Sequence, residues 1–453
     1  MSFVTQETLH RTAKYFMDTG RAESAAQALA LLQQFGLYIE VGPETATSRD
    51  HQLALLTLVN MARRTFLGGV YVIGAPNSPL LVPLANTSSV RRAVTMLGGR
   101  NVARRKRDWP VAVIGGDAAP SLDSPSWRVT WEGWRGGVVP LRDHRRLNES
   151  SSAGLAPAFA AAACASETFM YYSGDHPFAG RRDSGLSLWS PTAPWLQPDL
   201  SEPKVKYLPS RLWLIGLGNL GQAYLWILSC LPYKNPLELE LILQDYDRIA
   251  ESNESTSLLT QSKMIGLMKT RAVAATLEDK GFHATIEERR FGEWTRRAPH
   301  EPGVALVGVD NSLTRASIEE AGFDFVVETG LGAGPHAFRN FSLHTFPSSM
   351  SAARLWANNA PPNANDVLNM PAYSPSKHPG LDQCGLAQLA SRTVGVPFVG
   401  LTAAALAIAE LLRRLHGGPT LELVSGSVAA LQDLEISELD NRIYEFGHVA
   451  AAA

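Results

Sequence analysis

Apolar and polar residues alternate at helical spacing from Glu7 to Phe35 and again over Asp50–Phe66, before Gly68-Gly69 interrupts the pattern. The chain is therefore expected to open with helices. Short apolar runs follow at Val70–Ile73, Leu80–Pro83 and Val111–Ile114, each bounded by Gly, Pro or Asn, which is the pattern of buried strands. Gly154–Phe169 is rich in alanine, carries Pro157 near its start and contains no β-branched run. It predicts a helix whose small side chains permit close packing. Tyr171–Pro209 is dominated by Gly, Ser, Pro and Asp with little periodicity, the composition of a connection.

Beyond that connection the pattern changes to a regular alternation. Strands are expected at Leu212–Ile215, Leu239–Leu243, Ala284–Glu287, Val304–Val309 and Phe325–Glu328, with helices at Gln222–Leu231, Lys263–Lys280 and Leu313–Ala321. Such an order implies a mostly parallel sheet covered by helices, a Rossmann-like α/β fold. Pro397–Leu415 then repeats the alanine-rich character of Gly154–Phe169, which reads either as a degenerate duplication or as coincidence between two alanine-rich helices. The expected division is an N-terminal half over 1–175, a linker over 176–209 and a C-terminal half over 210–453, with an irregular segment inside it at about 347–395.

At 453 residues the chain exceeds one ordinary core, which agrees with two halves. A formal charge of −2 and a basic run no longer than Arg104–Arg107 argue against nucleic acid as a main partner. No uncharged apolar stretch reaches membrane-spanning length, and Met1–Lys14 lacks the apolar centre of a signal peptide, so no membrane association and a cytoplasmic location are expected. Cys164, Cys230 and Cys384 are widely separated; they form neither a zinc-ligand pair nor a disulfide framework, and any that matters acts alone.

The chemistry concentrates after Pro209. Gly216-Leu217-Gly218-Asn219-Leu220-Gly221 follows an expected strand and opens an expected helix, the context in which backbone N–H groups can approach a phosphate. Alone the string would read as NAD or FAD binding, with Asp245 on a ribose. The residues that follow favour ATP instead: Asp247, Ser252-Asn253, then Ile265-Gly266 with Lys269, and Asp310. Attack of a carboxylate on the α-phosphate of ATP needs a cation near the phosphates, a metal-binding carboxylate and a polar contact for the leaving pyrophosphate. Lys269, Asp310 and Asn253 fit those needs. Taken singly, Asp310 would be a helix cap and Lys269 a surface lysine.

Taken in order, Gly216–Gly221, Asp245-Tyr246-Asp247, Ser252-Asn253, Ile265-Gly266 with Lys269, and Val309-Asp310-Asn311 with Arg315 resemble the motif set of the ubiquitin-activating and ThiF/MoeB superfamily. The resemblance covers Arg211–Val327 and, less fully, Val396–Gly418. It implies that Asp245 holds the ribose, Gly216, Gly218 and Gly221 form the phosphate loop, Asp247, Asn253 and Lys269 line the ATP site, and Asp310 binds Mg2+. One departure stands out: where the superfamily carries an arginine soon after the asparagine, this chain has Thr256. Arg63 and Arg64 are candidates to replace that charge.

Cys384 follows the irregular stretch from Pro347 to Gly380 and precedes an expected helix at Leu386–Ser391. A cysteine at a helix N-terminus gains thiolate character, so Cys384 reads as an acyl acceptor as readily as a packing residue. Cys164 and Cys230, inside apolar helices, read as structural. The N-terminal half lacks a Gly-x-Gly-x-x-Gly string and a lysine in register, and so resembles the inactive, degenerate adenylation-like half of such enzymes. The sequence is most similar in kind to activating enzymes of bacterial ubiquitin-like conjugation operons linked to antiviral defence. That resemblance implies adenylation of the C-terminal carboxylate of a ubiquitin-like protein, a thioester on Cys384 and transfer to a conjugating enzyme, and leaves a homodimer open. A ThiF/MoeB-like adenylyltransferase without a cysteine step, a non-catalytic ATP-binding scaffold and NAD chemistry are the competing readings.

Overall fold

The buried apolar runs of each half assemble into one sheet. The computed structural model describes residues 4–117, 124–151, 153–357, 365–378, 381–439 and 446–452. In the N-terminal half the strands are β1 (Gly36–Val41), β2 (Gly69–Ile73), β3 (Arg100–Val102), β4 (Val111–Ile114), β5 (Ser126–Glu132), β6 (Arg135–Pro140) and β7 (Ser184–Ser187), in the spatial order β3-β2-β1-β4-β5-β6-β7. The first five in that order are parallel, and β6 and β7 add antiparallel. Because β7 lies inside the stretch expected to be a linker, the N-terminal sheet extends past residue 175.

The C-terminal half repeats this order. After β8 (Tyr207–Pro209), the strands β9 (Arg211–Ile215), β10 (Glu240–Gln244), β11 (His283–Glu287), β12 (Val304–Val307), β13 (Phe325–Leu331), β14 (Asn340–Phe346), β15 (Thr420–Ser427) and β16 (Ala430–Leu439) run β11-β10-β9-β12-β13-β14-β15-β16. Again the first five are parallel and the rest antiparallel. A short β17 (His448–Ala450) pairs with β8. The matching order is what a duplication of one α/β unit requires, and the two alanine-rich helices occupy matching places in it. Leu155–Ser173 and Pro397–Leu415 are each 19 residues long and almost wholly buried. They pack on one another, with Phe169 and Phe398 ring centroids 5.7 Å apart.

One hydrophobic core runs through both halves. Polar contacts stitch the same interface: Trp226 Nε1 donates to Thr57 Oγ1 at 3.0 Å, Asn60 Nδ2 to the Leu258 carbonyl at 3.0 Å, and Arg49 to the Cys230 carbonyl at 2.6 Å. Buried donors with partners add specificity to what apolar burial stabilises.

Several expectations differ from the fold. The Glu7–Phe35 pattern splits into Lys14–Asp18 and Ala25–Leu32, broken where Gly20 takes φ +71°. Leu80–Pro83 is a loop with a single bridge between Pro79 and Ser89, since a proline at each end removes ladder donors. The Lys263–Lys280 helix begins only at Lys269, after a turn in which Gly266 takes φ +87°. Among the described residues no helix is long and apolar enough to cross a membrane.

Candidate functional site

The turn after β9 sets the site. Gly216 adopts φ +86°, and a Cβ on Gly221 would fall 1.9 Å from the Gly216 carbonyl oxygen, so both positions require glycine for the turn to close on the helix Asn219–Cys230. A Cβ on Gly218 would meet nothing within 4 Å, which leaves the approach to that helix N-terminus open. Among the described residues no side chain caps it, so its first N–H groups remain available to an anion.

Asp245, just past β10, ties this turn to the next. Its Oδ2 accepts the Leu217 N–H at 2.7 Å and its Oδ1 accepts the Asp247 N–H at 2.8 Å. Lys269 is the first residue of the helix Lys269–Glu278. Its Nζ donates to Asp247 Oδ2 at 2.7 Å and stands 3.7 Å from Asp245 Oδ2, while its backbone N–H donates to the Asp247 carbonyl. The structure thus brings Gly216, Gly218, Gly221, Asp245, Asp247 and Lys269 together at the C-terminal ends of the central strands, where open α/β sheets bind ligands.

Asn253 lies in the short turn Glu251–Ser255, and its Oδ1 accepts the Ala250 N–H at 2.9 Å. Its carbonyl oxygen is engaged locally, and among the described residues its NH2 has no partner. Asp310 is exposed at the end of β12. The cap of the following helix, Ser312–Ala316, is Asn311, whose Oδ1 accepts the Thr314 N–H at 3.1 Å. The capping role that would have explained Asp310 therefore belongs to its neighbour. Among the described residues no cluster of three or more His, Cys, Asp or Glu is arranged to hold a metal ion; one carboxylate such as Asp310, completed by phosphates and water, is the set that suits magnesium.

From Asp310 a groove of about 610 Å3 runs across the antiparallel strands, lined by Arg315, Gly330, Gly332, Ser342, Trp356 and Ser425 among others. Arg315 is fixed by a bond from Nε to the Val309 carbonyl at 2.8 Å, by Glu328 at 3.1 Å and by the Trp356 ring 4.6 Å away. Glu328 is fully buried and also meets His344 Nδ1 at 3.0 Å. Neither Glu328 nor Trp356 carried a sequence signal.

The arginines proposed to replace the charge missing at Thr256 are elsewhere engaged. Arg64 is buried and donates to the carbonyls of Glu254, Leu258 and Thr260, and Arg63 reaches Thr260 and Glu254. Both hold the 254–260 loop and point into protein. Arg11 stands beside Thr256 instead. Its N–H donates to Ser255 Oγ at 3.1 Å and its Nε to the Thr393 carbonyl at 2.6 Å, and Gly395 is packed against both Arg11 and Thr256. Burial, reinforced by the neighbouring Arg392, pushes the Arg11 guanidinium down to about 10, against the pull of Asp310. A separation of 244 residues hides this contact from any local reading.

Cys384 is exposed at the second position of the helix Gln383–Ser391. Asp382 caps that helix, its Oδ1 accepting the Gly385 N–H at 2.7 Å. A carboxylate therefore already occupies the positive helix end that was expected to favour a thiolate. Cys164 and Cys230 are buried, and burial pushes each thiol up to about 12.

Comparison with known proteins matches two adjoining families, the BilD N-terminal domain over 36–188 and the BilD C-terminal domain over 208–418. The bacterial E1-like protein BilD of Collimonas sp. (strain OK412) is 56% identical over 444 residues, covering 98% of this chain and 96% of that protein. Among solved structures, E. coli MccB aligns at 13% identity and a TM-score of 0.34 over 52% of this chain and 63% of MccB, less than two thirds of its length. TcdA (CsdL) aligns at 12% identity and a TM-score of 0.30 over 45% of this chain and 85% of TcdA. The sequence relationship, spanning both sheets and the turns between them, is the decisive one: the chain belongs to the BilD family of bacterial E1-like proteins.

Proposed function

We propose that the C-terminal half binds ATP and adenylates the C-terminal carboxylate of a small ubiquitin-like protein. The observation that carries this reading is the uncapped glycine turn tied to the Asp245–Asp247–Lys269 cluster, with Gly216 packed against Gly308 and Val309 just before Asp310, where the groove begins. A nucleotide at the turn and an extended peptide in a groove floored by Gly330, Gly332, Ser342 and Ser425 would meet beside Asp310. One oxygen of the peptide carboxylate attacks the α-phosphorus, an acyl–O–P bond forms, the α–β bond breaks and pyrophosphate leaves. Lys269 and Arg11 offset phosphate charge, with Arg11 in the place left by Thr256. Asp310 would hold Mg2+, which when bound screens the phosphate oxygens.

In a following step the Cys384 thiol, after losing its proton, attacks the acyl carbon, forms a thioester and releases AMP; transfer to a conjugating enzyme completes the sequence. The exposure of Cys384 supports this step. The acidic cap at Asp382 favours a second reading, a ThiF/MoeB-like adenylyltransferase that stops at the acyl-adenylate.

ATP–pyrophosphate exchange with ubiquitin-like proteins encoded nearby tests both. Exchange that is lost in Asp310→Ala and retained in Cys384→Ala, with a reducible adduct absent from the latter, supports the full sequence. Exchange without any reducible adduct selects the second reading, and absence of exchange with every candidate overturns adenylation.

A further inference from the structure

The N-terminal sheet ends on a strongly basic edge. Between Arg91 and Arg107 the chain carries seven Lys and Arg residues and no Asp or Glu, although its formal charge is −2. They spread over the helix Val90–Met96, the strand β3 and the loop that follows it. Arg91, Arg92, Arg100, Arg104, Lys106 and Arg107 are exposed. Among the described residues Arg105 alone of the seven forms an ion pair, with Glu40 at 2.7 Å.

β3 is the outermost strand of its sheet and pairs with β2 along one side, Arg100 opposite Tyr71 and Val102 opposite Ile73. Among the described residues no strand lies along its other side. Next to it is a shallow groove of about 490 Å3 lined by Asn77, Arg91, Arg92, Thr95, Met96 and Asn101. Asn101, the middle residue of β3, reaches the helix: its Nδ2 donates to the Arg91 carbonyl at 3.0 Å and to Thr95 Oγ1 at 3.1 Å. Its Oδ1 is buried and, among the described residues, has no hydrogen-bond partner.

Charge on a sheet edge can serve simply to keep edges from pairing. Protecting a strand of three residues does not require charge that continues along a helix and a loop. Nor does it require a buried acceptor left unmet at the groove, since such an atom costs stability until a donor reaches it. We propose that this edge is a docking surface for an extended acidic segment of a partner protein, which adds to β3 as a further strand, sets its carboxylates against Arg91 and Arg92 and brings a donor to Asn101 Oδ1. Backbone bonds to the edge supply affinity, and alternate side chains supply specificity. A single-stranded nucleic acid would seek stacking faces, and Trp109, the aromatic residue closest in sequence, is buried with Arg107 over its ring. The surface belongs to the half without the glycine turn, so the proposal goes beyond the adenylation reading and stands independently of it.

Fluorescence anisotropy with the full chain tests it. The probe is a fluorescein-labelled Glu-Thr repeat peptide of about twelve residues, compared with a Glu-Pro repeat of equal charge, which lacks a backbone donor at every second position. The wild-type protein should bind the Glu-Thr peptide, several-fold more weakly in about 200 mM than in about 50 mM NaCl, and should bind the Glu-Pro peptide several-fold more weakly still. Arg91→Glu/Arg92→Glu should weaken Glu-Thr binding about tenfold or more, and the milder Arg91→Gln/Arg92→Gln about threefold or more, with the wild-type unfolding midpoint kept because both side chains are exposed. No binding of the Glu-Thr peptide, equal binding of the Glu-Pro peptide, or affinity untouched by either double substitution would each overturn the proposal. Tighter binding of a single-stranded oligonucleotide of about twelve nucleotides would overturn it in favour of nucleic acid. Loss of ATP–pyrophosphate exchange bears on the adenylation reading alone.

Discussion

The two halves share a strand order, yet the turns that follow their first central strands have opposite chemistry. After β9 the turn is glycine-rich, uncapped and open at Gly218. After β1 it is Gly42-Pro43-Glu44, and the Glu44 carboxylate accepts the Gly116 N–H at 2.9 Å and pairs with Arg146 at 3.4 Å. Arg128 and Arg146 both donate to the Gly116 carbonyl, and Glu149 is shared between Arg146 and His51. The next helix, Arg49–Thr65, is capped by Ser48. In the N-terminal half the polar groups at the sheet end satisfy one another, whereas in the C-terminal half, among the described residues, the first N–H groups of the helix after the glycine turn have no partner. A common topology therefore fixes where a site can form, and local satisfaction of polar groups decides whether one does.

The comparison breaks most sharply at Asp245. Asp245→Ala removes the acceptor for two turn N–H groups and should lower pyrophosphate exchange by about 100-fold or more, while Glu44→Gln should leave exchange within about twofold. Exchange that responds equally to both substitutions would erase the distinction. The reverse asymmetry should appear in stability. Glu149→Gln, which weakens a buried network to Arg146 and His51, should cost about 1–3 kcal/mol in urea unfolding with nucleotide affinity retained.

A smaller effect comes from the N-terminal segment that crosses onto the C-terminal half. Burial pushes the His10 imidazole down to about 4, against a hydrogen bond to the Arg64 backbone. An unfolded histidine titrates near 6.5, so between these values the unfolded chain binds a proton that the folded chain does not. Stability should fall as pH drops, by about 1 kcal/mol between pH 6.5 and 5.5, and His10→Gln should flatten that slope. Finally, native protein treated with a thiol reagent should be modified at Cys384 alone, with Cys164 and Cys230 reacting only after unfolding.

The C-terminal parallel strands were legible because each is a short apolar run between turn residues, and the candidate site because its motifs lie in order along 216–310. What stayed hidden has several physical causes. β1 starts directly after the helical pattern that ends at Phe35, and β15 and β16 alternate irregularly, whereas β14 alternates cleanly from Asn340 to His344, so its strand signal was present in the sequence. Arg11 reaches Ser255 and Thr393 only through long-range packing, which leaves no local trace. The Asp382 cap, by contrast, is a local contact to Gly385, three residues on; the sequence pattern placed Cys384 before a helix and the fold places it inside one.

The central claim is that one half alone holds the nucleotide. Its most direct test is calorimetric stoichiometry of Mg-ATP binding to the wild-type chain and to Lys269→Ala. The account predicts one ATP per chain in the wild-type protein and greatly weakened binding in Lys269→Ala. Two ATP per chain, or a single site that survives Lys269→Ala and is lost in Glu44→Gln, would contradict it.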